Sequence, residues 1–162
     1  AALVRDYESE GLKVYLKDIR LDRSGRPVIL YITSKGFESG PQNDPRTWTT
    51  ARWTGSRWDI RPVTTSDNNY DSGSLYVESD GLWRIIGPTE RGPQPYNTGG
   101  EVAMWTSADQ GATWKKVKQL TSGSKYFFIF FFNNRLFLIH ISPRNHLLLA
   151  TVNLFVFFFL LF

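Results

Sequence analysis

From Lys13 to Leu120 the chain alternates apolar and polar residues in short runs rich in Val, Ile, Tyr, Trp and Thr, broken by clusters of Gly, Asp, Asn and Ser. Alternation with a period of two between turn clusters marks half-buried strands, and little of this stretch follows the 3.6-residue period of a helix. The pattern predicts strands near Lys13–Leu21, Pro27–Thr33, Trp48–Trp53 and Trp58–Val63. A second set is predicted near Ser74–Ser79, Leu82–Gly87, Glu101–Thr106 and Thr113–Leu120.

The two sets resemble each other. Ala51-Arg52-Trp53-Thr54 and a turn lead to Trp58, and Ala103-Met104-Trp105-Thr106 and a longer turn lead to Trp114, an offset of 52 residues at Ala51 and Ala103. Gly25 in the first tight turn matches Gly81 in the second, 56 residues on. Four strands per repeat of about 50 residues is what a propeller blade requires. An antiparallel sandwich with chance internal similarity is the competing reading. The fold expected is all-β: a partial β-propeller of about two four-stranded antiparallel blades, near 13–63 and 74–120, within residues 1–123.

The segment Ser107-Ala108-Asp109-Gln110-Gly111-Ala112-Thr113-Trp114 fits Ser-x-Asp-x-Gly-x-Thr-Trp at every specified position. Asp109 can accept hydrogen bonds from the backbone of its own turn, Gly111 permits a positive φ, and Trp114 brings a large flat face to the next strand. This motif resembles the Asp-box, the bacterial neuraminidase repeat (BNR) of sialidases and their relatives. The runs Asp67–Tyr76, Trp83–Glu90 and Pro95–Glu101 are similar to secreted bacterial BNR-repeat proteins of polysaccharide degradation, ulvan-lyase-like propellers included. The resemblance covers about residues 13–121. It implies a carbohydrate-active propeller, a glycoside hydrolase or polysaccharide lyase acting on acidic glycans, in a secreted or periplasmic parent protein. A non-catalytic glycan-binding module is the alternative. The chain begins with Ala and shows no charged-then-apolar leader, so it is expected to be an internal piece of a longer protein.

In an up-and-down blade, alternate connections share one end of the strands. Tight turns at Asp22–Arg26, Thr54–Arg57, Ser79–Gly81 and the Asp-box are expected on one rim. Longer loops at Ser34–Thr47, Thr64–Gly73 and Pro88–Gly100 are expected on the other. Long loops held on a rigid scaffold are where function concentrates. Ser107, Asp109, Gly111, Thr113 and Trp114 are therefore read as structural. The long-loop rim holds Lys35, Asp44, Arg46, Asp67, Asn69, Tyr70, Asp71, Glu90, Arg91, Gln94, Tyr96 and Asn97, a set suited to stacking on sugar faces and bonding hydroxyls and carboxylates. Tyr70, Tyr96, Arg91 and Glu90 are the catalytic candidates, and Asp67, Asn69, Asp71, Gln94 and Asn97 the substrate-binding ones. Plainer readings stand beside these: Asp67, Asn68 and Asn69 as turn formers, the tyrosines as loop roof, Glu90 and Arg91 as a solvated ion pair, and Arg46 as a loop anchor.

A sialidase-type reaction would use Tyr70 or Tyr96 with Glu90 or Glu101. A lyase would use Arg91 against a uronate carboxylate and Tyr70 or Tyr96 as base. Both histidines, His140 and His146, lie in the tail, so a histidine base would have to come from elsewhere. No cofactor and no metal site are expected.

Composition divides the chain. All but one of the 12 Phe lie at or after Phe127, all six Trp lie before residue 115, and no Asp or Glu follows Asp109. Residues 1–125 carry a net charge of +2, interspersed, which argues against nucleic acid as partner. The absence of Cys excludes disulfides and thiol chemistry. The tail, 124–162, is hydrophobic and of low complexity, and is expected to be helical or disordered. Leu147–Phe162 is short for a bilayer span. Two origins are open for the tail: translation out of the proper frame, or membrane association, the one route by which the chain would meet a membrane. With only two blades present, the six Trp are expected to be partly uncovered.

Overall fold

The computed structural model describes residues 3–124 and the tail strands at 126–132, 135–141, 147–153 and 156–159. Eight strands precede the tail: β1 (Lys13–Leu21), β2 (Pro27–Ser34), β3 (Arg46–Trp53), β4 (Trp58–Ser66), β5 (Ser74–Val77), β6 (Trp83–Glu90), β7 (Glu101–Ser107) and β8 (Lys115–Gln119). They form two antiparallel sheets in sequence order, β1-β2-β3-β4 and β5-β6-β7-β8. No strand crosses between the sheets, so the sandwich reading falls and the paired-blade reading stands.

Alternation along β2 explains how the sheets stack. Val28, Leu30 and Ile32 point to one face and are fully buried with Trp48, Leu75, Trp83 and Ile85, which form the core between the sheets. Each such side chain removed from water contributes about 1.5–3 kcal/mol. Ile29 and Tyr31 point to the other face, where Tyr7, Ala51, Trp58 and Ile60 gather beneath the N-terminal segment. The Trp48 ring sits against two glycines of the second sheet's elements. A Cβ at Gly73 would lie 2.5 Å from its Cζ3, and one at Gly87 3.0 Å from its Cη2. Trp48 and Trp83 are thus fully enclosed, contrary to the expectation that all six would be partly uncovered, because two stacked sheets suffice to bury residues on the shared face. Trp53, Trp58, Trp105 and Trp114 remain half-buried.

The first strands of the two sheets meet through side chains. A bulge between Leu16 and Asp18 changes the register of β1 against β2. Asp18 Oδ2 then accepts from Leu75 N at 2.9 Å, and Arg20 Nε donates to Leu75 O at 3.0 Å. These bonds satisfy part of the edge that β5 would otherwise leave open.

The repeat holds at the tight turns. In the first, Gly25 takes φ 72° and Asp22 Oδ1 accepts from Ser24 N and Arg26 N. In the second, Gly81 takes φ 92° and Asp80 Oδ1 accepts from Leu82 N.

The tail corrects an expectation. Instead of helix or disorder, β9 (Tyr126–Phe132), β10 (Arg135–Ile141), β11 (Leu147–Asn153) and β12 (Val156–Phe159) pair antiparallel in the order β12-β11-β10-β9. Phe, Ile, Val and Tyr favour the pleated backbone. No helix among the described residues is long and apolar enough to cross a membrane, which says nothing of crossing by strands.

Candidate functional site

The strand order puts the connections 35–45, 67–73 and 91–100 at one end of the sheets and the four tight turns at the other. At the long-loop end, two loops are knitted together by side chains bonding to backbone. Asp67 Oδ2 accepts from Tyr96 N at 3.1 Å, Asn68 Nδ2 donates to Tyr96 O at 3.1 Å, and Asp71 Oδ1 accepts from Gly99 N at 2.8 Å. Asn68 Oδ1 also accepts from the N–H groups of Tyr70 and Asp71, an Asx-type turn. Tyr96 is held at φ 63°, a left-handed conformation unfavourable for a bulky side chain and sustained here by bonds on both sides of the residue.

Beneath these loops lies Arg46, only 1% exposed. Its guanidinium donates to Asn69 Oδ1, to the carbonyls of Glu38 and Gly40, and to the Asp44 carboxylate, while the Tyr96 ring lies 5.5 Å above it. Arg46 is a loop anchor that joins all three long connections, and it is unavailable to a ligand. Asn69 and Asp71 are buried as well. They serve the loops and do not present their side chains at the surface as substrate-binding residues would. Asn69 Nδ2 and Asp71 Oδ2 are buried with no hydrogen-bond partner among the described residues.

Tyr70 is 53% exposed, with its ring edge-on to Tyr15 at 5.4 Å between centroids, and Phe37 of the 35–45 connection is open as well, at 61%. Lys17 Nζ donates to Asn69 O at 2.7 Å and lies 5.9 Å from the Tyr15 ring. Burial pushes Lys17 down to about 8, partly countered by the Asp71 carboxylate. Burial likewise pushes the Asp71 carboxyl up to about 6, against the N–H groups of Gly99 and Gly100 and the charge of Lys17. Sequence reasoning passed over Tyr15 and Lys17, although their spacing of two in a predicted strand was a signal that they share a face.

The Arg91 side chain is 68% exposed and reaches Asp67 Oδ2 at 3.8 Å, a weak contact. Glu90 pairs with Lys116 at 2.8 Å instead of with Arg91. Glu101 is buried, accepting from the Thr121 and Ser124 hydroxyls and from Ser124 N. Neither glutamate is therefore placed as the partner of a tyrosine nucleophile. Gln94 and Asn97 are exposed, and their backbones close a turn in which Asn97 N donates to Gln94 O. Among the described residues no group of three or more His, Cys, Asp or Glu could hold a metal.

At the opposite rim, Asp109 Oδ1 accepts from Thr113 N and the Ser107 hydroxyl, and Oδ2 accepts from the Thr113 hydroxyl. These bonds hold the Asp109 carboxyl down at about 2. Gly111, at φ 86°, lies over the Trp83 ring, where a Cβ would come within 2.8 Å. Trp114 Nε1 donates to Thr50 Oγ1 of the first sheet at 3.3 Å, and Arg52 bonds to Gln110. The segment 107–114 thus ties one sheet to the other and lies far from Tyr70 and Tyr96.

These two stacked up-and-down sheets define the chain as an all-β protein with propeller-blade architecture. It is similar to a crystal structure of a protein of unknown function from Dyadobacter fermentans DSM 18053, with a TM-score of 0.52 and 14% identity over 85% of this chain and 37% of that one. A fructofuranosidase from Schwanniomyces occidentalis complexed with fructose aligns with a TM-score of 0.49 and 14% identity, over 91% of this chain and 33% of that one. The chain spans about a third of the length of either structure. No protein-family model matches it, and no curated protein matches it in sequence.

Proposed function

We propose that the chain is part of a carbohydrate-active β-propeller of the BNR-repeat, sialidase-like kind, and that its long-loop rim binds acidic glycans. The observation that carries this reading is the knitting of loops 67–73 and 91–100 by Asp67, Asn68 and Asp71. It holds an open tyrosine face at Tyr70 and a solvent-facing guanidinium at Arg91 on one preorganised surface. A sugar ring stacks on the first, and its carboxylate takes a two-pronged bond from the second.

A catalytic reading, as glycoside hydrolase or polysaccharide lyase, has one observation in its favour. Arg91 and the backbone of Tyr96 share Asp67 Oδ2, which brings a carboxylate-neutralising cation beside a tyrosine. The hydrolase form is less supported, because Glu90 and Glu101 are committed elsewhere. Calorimetric titration of the full chain with polygalacturonate oligomers and with sialyllactose tests the binding, and ultraviolet absorbance of unsaturated product tests the lyase. Tyr70→Ala and Arg91→Ala are each expected to weaken binding about tenfold, roughly 1.4 kcal/mol. No binding of any acidic glycan at millimolar concentration would remove the proposal.

A further inference from the structure

A cleft is present on the other rim. Its volume is about 630 Å³, and it opens between the first tight turn of each sheet, with residues 108 and 110 closing one side and Trp83 beneath. That volume is in the range of small-molecule sites. Its walls are rigid. Asp22 and Asp80 each spend Oδ1 on their own turn, which fixes the side chain and leaves Oδ2 without a partner among the described residues. Arg52 donates to both the backbone carbonyl and Oε1 of Gln110, which turns the amide so that Nε2 is free to donate. The Arg23 guanidinium lies over Gly81, 3.6 Å from where a Cβ would stand, and makes no hydrogen bond or ion pair among the described residues. Leu82 adds a half-buried apolar face.

The charges select the ligand by elimination. An anionic ligand meets two carboxylates, Asp22 and Asp80, against one guanidinium. A cationic ligand meets the Arg23 guanidinium over Gly81. A neutral molecule rich in hydroxyls is repelled by neither, since each hydroxyl can donate to a carboxylate oxygen and accept from Arg23 or Gln110. The carbon face of a sugar ring also suits Leu82. From this we infer a second carbohydrate site, for a neutral oligosaccharide, in the cleft between the tight turns. It is independent of the acidic-glycan reading of the long-loop rim.

The test is titration of the ¹⁵N-labelled full chain with maltohexaose, cellohexaose and xylohexaose in turn. At least one is expected to shift the amide resonances of Gly25, Gly81 and Gln110 at millimolar concentration. Arg23→Ala and Asp80→Asn, which keeps the Oδ1 acceptor, are each expected to weaken that binding at least about fivefold. Tyr70→Ala and Arg91→Ala are expected to leave it unchanged, and tryptophan fluorescence melts check that each variant is folded. The inference is overturned if none of the three sugars moves these resonances. It is also overturned if folded Arg23→Ala and Asp80→Asn bind as the parent does, or if an acidic hexasaccharide or a hexalysine peptide occupies the cleft in preference.

Discussion

Asp71 offers a direct measure of how much stability the long-loop rim gives up. Its carboxyl is buried, with Oδ1 bonded to Gly99 N and Oδ2 bare, and is raised from an ordinary 3.8 to about 6. The folded state therefore holds this proton more tightly than the unfolded chain does. As pH rises from about 4 to about 6, the unfolded chain ionises first, so stability is lost through that window and stays level above it. A displacement of this size corresponds to about 3 kcal/mol. Asp71→Asn keeps an oxygen for Gly99 N and removes the charge. Lys17 opposes the gain, because it loses its carboxylate neighbour. A net stabilisation of about 1–2 kcal/mol near pH 7 remains, falling to nearly nothing near pH 4. Urea unfolding followed by tryptophan fluorescence at the two pH values measures both quantities. If the variant is no more stable than the parent near neutral pH, or if its advantage is as large in acid, the account of Asp71 as an ionised, poorly solvated carboxylate is wrong.

Two further perturbations probe the contact between sheets. Gly73→Ala drives a methyl to 2.5 Å from the buried Trp48 ring and is expected to cost about 1–3 kcal/mol in the same assay, with a change in tryptophan emission. Asp109→Ala removes the acceptor of three hydrogen bonds in an exposed turn and is expected to cost about 1 kcal/mol at neutral pH. Because the Asp109 carboxyl is held at about 2, its contribution is present above the ordinary 3.8 and fades as pH falls toward 2, so parent and variant should converge in strong acid.

Strand positions were legible in the sequence because alternation reports burial directly. The predicted bounds of β1, Lys13–Leu21, are those observed, and β2 and β7 extend by a single residue. β3, β4 and β6 run two or three residues further toward the long loops than predicted, and two other errors fall where turn chemistry competes with pairing. The strand predicted to reach Ser79 ends at Val77, because Glu78 N already donates to Leu82 O across the turn. The strand predicted from Thr113 starts at Lys115, because Thr113 N is taken by Asp109. That Tyr70 and Tyr96 share a rim followed from counting connections. The burial of Arg46, Asn69 and Asp71 did not, since it depends on contacts between residues 23 to 28 positions apart that no local pattern encodes. Composition suggested a helical or disordered tail, whereas the residue types there favour paired strands.

The two rims are built by different means. The tight-turn rim uses glycines at positive φ and Asx bonds within each turn, which fix the backbone without burying charge. The long-loop rim cannot do this, because its connections are too long to close on themselves. It holds them with a buried guanidinium that reaches Glu38, Gly40, Asp44 and Asn69 at once, and with a carboxylate whose protonation is displaced by burial. Such groups stabilise only when fully partnered, and the bare Oδ2 of Asp71 and Nδ2 of Asn69 show that here the partnering is incomplete. The long loops are therefore fixed at a cost to folding that selection for stability alone would remove, which supports the proposal of ligand recognition there. The eight- and nine-residue strands of the first sheet set the rims roughly 26 Å apart. At that separation the sites proposed around Arg91 and Arg23 lie on unconnected surfaces, so the result at one rim does not prejudge the result at the other.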